Sequence, residues 1–262
     1  GGTVKLSVII PVYNEIETIA EIVDRIQAVD LHIRIWADHA NETVVDVERE
    51  LVIVDDGSKD GTREYLRTLE GQPGFTIIFH AANQGKGGAV WTGLQQATGD
   101  ICLIQDADLE YDPRDYPHLL QPILEKRTRV VYGSRFRGGP SKAMFFWHMV
   151  GNRFLTFVTN ILYNTILTDM ETCYKVFTRE VSDQLHLKAS GWGFDPEITA
   201  QILLSGNRIY EVPISYSGRE FNEGKKISWK DGFTVLWTLV KYRITGYRSR
   251  DRERMDHQAK EK

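Results

Sequence analysis

Leu6-Ser7-Val8-Ile9-Ile10-Pro11 is a β-branched apolar run stopped by proline. From Glu15 to Ile26, apolar residues (Ile16, Ile19, Ile22, Val23, Ile26) recur at helical spacing, so the segment reads as strand, loop, helix. The alternation continues with strand Leu51 to Val54, helix Thr62 to Leu69, strand Phe75 to Phe79, helix Gly87 to Ala97 and strand Ile101 to Ile104. A later strand ends at Arg135. Strands alternating with helices predict an α/β fold, a mostly parallel sheet with helices on both faces. Ligands of such sheets bind at the carboxyl ends of the strands. Pro11 to Glu15, Asp55-Asp56 and Asp106 to Glu110 are therefore expected on one edge. Residues 29–49 exceed a usual helix-to-strand link and read as an insertion of undetermined structure.

Two later segments break the alternation. Lys142 to Leu167 is rich in aromatic and aliphatic residues, but Lys142, His148, Asn152, Arg153, Asn160 and Asn164 interrupt it. Facing lipid, those side chains would be expensive in a bilayer span, so interfacial helices, or helices packed on the domain, fit better. Trp229 to Tyr247 presents a second apolar face with a basic rim, suited to anionic headgroups. No apolar stretch reaches the roughly 18 residues of a spanning helix. The chain is therefore expected to be soluble or peripheral, not integral, and the peripheral case is expected at the cytoplasmic face of a membrane.

Composition narrows the classes. A chain of 262 residues that is 42% hydrophobic can bury a full core, and one domain is expected. The net charge of -4 argues against nucleic acid as a partner. Two cysteines, Cys102 and Cys173, form no disulfide framework and point to a reducing compartment. The first residues show no charged-then-apolar leader pattern.

Asp106, Asp108 and Glu110 alternate with Ala107 and Leu109 directly after an apolar strand. With strand geometry maintained, all three point to one side and offer oxygen ligands to Mg²⁺ or Mn²⁺, ions that bridge diphosphate oxygens. An exposed acidic turn is the alternative. Asp55 is placed to accept hydrogen bonds from a base or ribose, Asp56 reads equally as structural, and Asp60 or Thr62 caps the next helix. Asn83 to Gly88 opens a helix with glycines and Lys86, a weak phosphate-binding signal without P-loop spacing. Arg135, Arg219, Lys225 and Lys226 offer cations to phosphate. His148 and Asn152, one turn apart, would face the acceptor, although packing is the commoner role for such a histidine. Asp169 or Glu171 would act as a base or order the acceptor site. Trp192 to Glu197 resembles a loop opening a helix over a sugar pocket, with helix capping by Asp195 as the alternative.

These motifs, Val8 to Glu15, Val54 to Ser58, Asn83 to Gly87, Asp106-Ala107-Asp108, Gly133-Ser134-Arg135 and Glu211 to Ile214, occur in the order seen in family 2 glycosyltransferases. More narrowly, residues 5 to 245 resemble the dolichyl-phosphate mannose synthase and dolichyl-phosphate glucose synthase group. The resemblance implies a GT-A, Rossmann-like domain over 1–218, with a nucleotide-binding half over 1–120 and an acceptor half over 121–218. Residues 219–262 would form a phosphate-contacting loop, an amphipathic segment and a basic tail. It implies that Pro11, Tyr13, Glu15, Asp55, Lys86, Asp106 and Ala107 bind the nucleotide sugar, and that Asp106, Asp108 and Glu110 hold the metal. Arg135, His148, Asn152, Arg219 and Lys225 would bind the acceptor or its phosphate. Glu110 stands where relatives often carry glutamine, His148 where mannose synthases carry arginine, and Asn152 where they carry serine.

The implied reaction is metal-dependent, inverting transfer of a hexose from UDP-glucose or GDP-mannose to a polyprenyl phosphate. A phosphate monoester is already anionic at neutral pH, so Asp169 is expected to orient rather than deprotonate. Asp106, Asp108, Arg135 and Asp169 are the expected catalytic set. The implied partners are the two substrates, a membrane surface and a membrane-anchoring subunit or second copy. The rival expectations are a soluble family 2 enzyme acting on polysaccharides or small molecules, and a non-catalytic nucleotide-sugar-binding scaffold.

Overall fold

Consecutive residues from Leu6 to Ile10 are all fully buried, which requires cover on both faces of the strand that holds them. The computed structural model describes residues 3–38, 41–140, 142, 145–189, 191–218 and 229–260. Its first half runs β1 (Val4–Val12), α1 (Ile19–Ala28), β2 (His32–Asp38), β3 (Asn41–Asp55), α2 (Thr62–Arg67), β4 (Phe75–Phe79), α3 (Gly85–Gln96) and β5 (Ile101–Ile104). The second half runs α4 (Tyr116–Leu124), β6 (Val130–Ser134), α5 (Phe146–Tyr163), β7 (Lys175–Thr178), α6 (Arg179–Ser182), α7 (Phe194–Leu204), β8 (Tyr210–Pro213) and α8 (Trp229–Lys260). The predicted apolar face of α1 is the buried one: Ile19, Ile22, Val23 and Ile26.

The sheet order is β2-β3-β1-β5-β7-β6-β8, with β4 also beside β3. Parallel pairing joins β1 to β3 and β5, β3 to β4, and β6 to β8. The strand β7 runs antiparallel between β5 and β6. The sheet is thus mostly parallel, as expected, with one reversed strand in its middle.

The undetermined insertion is a hairpin. β2 pairs antiparallel with the first part of β3, Ile33 opposite Val45 and Ile35 opposite Thr43. Leu31, Ile33 and Ile35 are buried while His32, Arg34 and Trp36 are exposed, a period-two pattern present in the sequence itself.

The aromatic segment forms α5, and it packs on α8 through Leu155, Val158, Leu162 and Tyr163 around Met170, Val235 and Leu239. The Tyr163 hydroxyl donates to the Leu239 carbonyl at 2.7 Å. The outer faces of both helices stay apolar. Phe146, Trp147, Val150, Phe154, Phe157 and Ile161 are exposed on α5, and Phe233, Trp237 and Ile244 on α8. Among the described residues, no helix is long and apolar enough to cross a membrane.

Candidate active site at the carboxyl edge of the sheet

Strand register sets the edge. Val12 lies opposite Asp55, Asp55 opposite Phe79, and Ile9 opposite Ile104, so the loops after β1, β3, β4 and β5 leave the sheet together. Two of them are stitched to each other: the Asn14 N–H donates to Ser58 Oγ at 2.9 Å, Lys59 N–H to Asn14 Oδ1 at 2.9 Å, and Glu15 N–H to Thr62 Oγ1 at 3.0 Å. Asn14 takes a φ of 54°, a left-handed conformation that asparagine tolerates. Tyr13 is left exposed above this junction and Pro11 is half-buried below it.

Asp55 is wholly buried and already engaged. Its Oδ2 accepts from Arg63 Nε at 2.8 Å and its Oδ1 from Ser58 N–H at 3.2 Å. Arg63, which the sequence reading did not single out, also stacks over Phe79 and donates to the His80 carbonyl. Asp56 is structural: its carboxylate accepts from the Gln84 and Gly85 N–H groups, both at 2.8 Å, and lies 2.7 Å from His80 Nδ1. It therefore tethers the start of α3. Asp60, which accepts from Thr62 N–H at 3.1 Å, holds the start of α2.

The glycines at the start of α3 are corrected from a phosphate cradle to a packing device. The Gln84 and Gly85 amides are spent on Asp56, and a Cβ on Gly87 would lie 1.8 Å from the Ala189 carbonyl oxygen. Gly87→Ala accordingly must displace the 189 backbone, and we expect a stability loss on the order of 1–3 kcal/mol. Chemical denaturation measures it, and Gly151→Ala, whose added Cβ meets nothing within 4 Å, is the milder control.

Lys86 reaches across to Asp106, Nζ to Oδ2 at 2.8 Å. Burial alone would lower the Lys86 pKa, but Asp106 overrides it and holds the ammonium well above its usual range. Burial likewise raises Asp106, and Lys86 more than reverses this, keeping the carboxylate below its usual value. Ala107 is buried beside them.

The acidic run departs from the sequence expectation. β5 ends at Ile104, and Leu109 adopts a φ of 61°, so the side chains at 106, 108 and 110 no longer alternate as in a strand. The Asp108 carboxylate accepts from the Glu110 N–H at 3.2 Å, and Glu110 accepts from the Tyr216 hydroxyl at 3.3 Å. Among the described residues, no three acidic, histidine or cysteine side chains form a metal-holding group. The prediction of one three-carboxylate ligand set is corrected. Donor chemistry still suits a hard ion, because Mg²⁺ is commonly held by one or two carboxylates plus substrate phosphates rather than by an all-protein cage.

The reversed strand brings a second charged group to the same edge. Arg135 and Asp169 form a two-point pair, Nε to Oδ2 and Nη2 to Oδ1 at 2.7 Å each, and the Arg135 N–H adds a third bond at 3.0 Å. Asp169 is fully buried, and Asn152 Nδ2 approaches its Oδ1 at 3.3 Å. Glu211, buried, accepts the Thr168 and Asp169 N–H groups at 2.8 and 3.2 Å. His148, one turn before Asn152 on α5, is instead exposed and edge-on to Phe145. Arg219, Lys225 and Lys226 lie outside the described residues.

Lys175, at the start of β7, is completely buried and pairs with Asp195 at 2.5 Å. Asp195 is thus in the first turn of α7 and committed to a cation, a change from the capping alternative. A lysine within an apolar run such as Tyr174 to Phe177 is the signal that sequence reading passed over.

Comparison with known proteins adds context to this geometry. The family model described as "Glycosyl transferase family 2" matches residues 7–185. A UDP-N-acetylglucosamine–dolichyl-phosphate N-acetylglucosaminyltransferase of Methanococcus voltae is 29% identical over 255 residues, covering 88% of this chain and 93% of its own. A dolichol-phosphate mannosyltransferase of Pyrococcus furiosus is 28% identical over 226 residues, covering 84% of this chain and 59% of its own. Among solved structures, the glucosyl-3-phosphoglycerate synthase of Mycobacterium tuberculosis with Mn²⁺, UDP and glucosyl-3-phosphoglycerate superposes with a TM-score of 0.64. That match has 20% identity and covers 91% of this chain and 80% of the other, a likeness of fold.

Proposed function

The chain belongs to glycosyl transferase family 2 and has its GT-A fold, and from that premise we propose that it transfers a hexose from a nucleotide sugar to a polyprenyl phosphate at a membrane surface. The observation that carries the acceptor assignment is the double character of α5. Asn152 hydrogen-bonds into the Arg135–Asp169 cluster, while Trp147, Phe154, Phe157 and Ile161 on the same helix form an exposed apolar stripe. An anionic headgroup on a long hydrocarbon needs such adjacency. The names of the two relatives support the same acceptor class. UDP-linked N-acetylglucosamine joins UDP-glucose and GDP-mannose as a donor to be tried, because the Methanococcus voltae relative is named for it.

In the proposed reaction an oxygen of the acceptor phosphate attacks the anomeric carbon. The bond to the diphosphate breaks, its electron pair leaves with the nucleoside diphosphate, and the anomeric centre inverts to a β-linked product. No base is required, since the phosphate arrives ionised. Asp169 then serves by fixing the Arg135 fork, a preorganised cation beside the incoming phosphate. Lys86 places a second cation beside Asp106 at the strand end. A divalent ion held by Asp106 and Asp108 together with donor phosphate oxygens would supply neutralisation of the leaving diphosphate.

The test is transfer of radiolabel from each of the three donors, with a short polyprenyl phosphate and Mn²⁺ or Mg²⁺. Label is expected in the organic-extractable phase, with loss of transfer in EDTA. Label found only in water-soluble acceptors would remove the lipid reading, and EDTA-insensitive transfer would remove the metal.

A further inference from the structure

Glu171 differs from the charged groups around it. The residue is partly buried, and its Oε1 is closed off from solvent and, among the described residues, has no hydrogen-bond partner. The groups facing it are Asp195 on α7, Lys175 on β7, Arg135 after β6 and Asp169 two residues earlier. Both nearby cations are committed to other acceptors, Lys175 to Asp195 and the Thr172 carbonyl, Arg135 to Asp169. Glu171 is therefore a carboxyl among satisfied ion pairs. Burial first, then the Asp195 charge, pushes its pKa up to about 8, against the weaker pull of Lys175 and Arg135. At neutral pH it carries a proton and can both donate and accept.

An ionised phosphate carries no donor for the unpartnered Oε1 of Glu171. The uncharged polar part of a nucleotide sugar is the sugar itself, and hydroxyl or amide groups match a neutral carboxyl that donates and accepts. We propose that Glu171 is a specificity-determining residue that hydrogen-bonds a ring hydroxyl or acetamido group of the transferred hexose. This rests on the donor reading given above. A site with a buried polar group waiting for its partner discriminates strongly against ligands that leave it unpaired.

The experiment is calorimetric titration of the full chain with UDP-glucose and UDP-N-acetylglucosamine against UDP, and with GDP-mannose against GDP. The quantity read is the sugar increment, the ratio of the dissociation constants of nucleotide and nucleotide sugar. Glu171→Ala is expected to cut that increment about tenfold, the effect of one buried hydrogen-bond partner, while leaving nucleotide affinity within about twofold. Glu171→Gln, which keeps a donor and an acceptor, retains most of it. Should Glu171→Ala weaken the nucleotide as well, the pH series decides. The wild-type increment falls as pH rises above about 8 and the carboxyl ionises, whereas that of Glu171→Gln stays flat. An unchanged increment in Glu171→Ala, or equal pH slopes in wild type and Glu171→Gln, overturns the inference alone. Failure of the wild type to bind any of these nucleotides overturns the donor reading and the inference with it.

Discussion

Asp169→Ala lowers the free energy of unfolding by about 3–5 kcal/mol, the cost of breaking a buried ion pair by removing one partner. At roughly 2–4 °C per kcal/mol for a chain of this size, the melting temperature falls by about 10 °C. The reason is local. Asp169 is fully buried and receives three bonds from Arg135, whose guanidinium otherwise faces the rings of Tyr216 and Phe136. Without the carboxylate that cation is enclosed with no counter-charge. Asp169→Asn, which keeps an acceptor, costs less, and adding Arg135→Leu to Asp169→Ala recovers part of the loss because the stranded charge is gone. Differential scanning calorimetry on the four proteins tests this. A single Asp169→Ala variant that melts within about 2 °C of wild type would show that the pair contributes nothing to stability.

The second large effect concerns the outer face of α5. Trp147, Phe154 and Phe157 are 76%, 54% and 60% exposed, and none is needed for the packing of α5 on α8. Transferring three half-exposed aromatic side chains into a bilayer interface contributes about 1 kcal/mol each. Their joint replacement by serine is expected to weaken partitioning to anionic vesicles about a hundredfold. Flotation with phosphatidylserine-containing vesicles measures this, and a melting curve that stays at the wild-type position separates it from misfolding. Vesicle binding equal to wild type in the triple variant would be incompatible with docking through α5.

The sheet was legible where burial is symmetrical. β1 and β5 sit in the middle of the sheet, so their apolar runs are continuous and strand-like in any reading. α1 was equally clear because only one of its faces is buried. The hairpin of β2 and β3 was less visible because its outer face carries Trp36 and Val44, exposed apolar residues that blur the alternation of buried and polar positions. At the site, the convergence of the loops after β1, β3 and β5 on one edge followed from strand order. The partners of the charged residues did not. Arg63 with Asp55, His80 with Asp56 and Lys175 with Asp195 join residues 8, 24 and 20 positions apart, and such pairings depend on tertiary geometry rather than local pattern. The acidic run departs from strand alternation for a related reason: β5 ends at Ile104, and the left-handed Leu109 turns the chain.

The direction of β7 changes which loops reach the ligand edge. Parallel strands bring to the ligand edge only the loops that leave them, whereas a reversed strand brings the loop that enters it. The stretch from Thr168 to Lys175 therefore arrives at the edge from α5 and departs through a strand that ends at Thr178, on the opposite side of the sheet. Its ends are anchored independently, by Glu211 on the backbone of Thr168 and by the pairing of Lys175 with Tyr132. Between those anchors the Tyr174 hydroxyl donates to Gln105 Oε1 at 2.8 Å and the Cys173 N–H donates to the Tyr111 hydroxyl at 3.1 Å. A change of sequence inside the segment is therefore felt at once at the end of β5, so the loop that enters β7 and the loop that leaves β5 have to vary together.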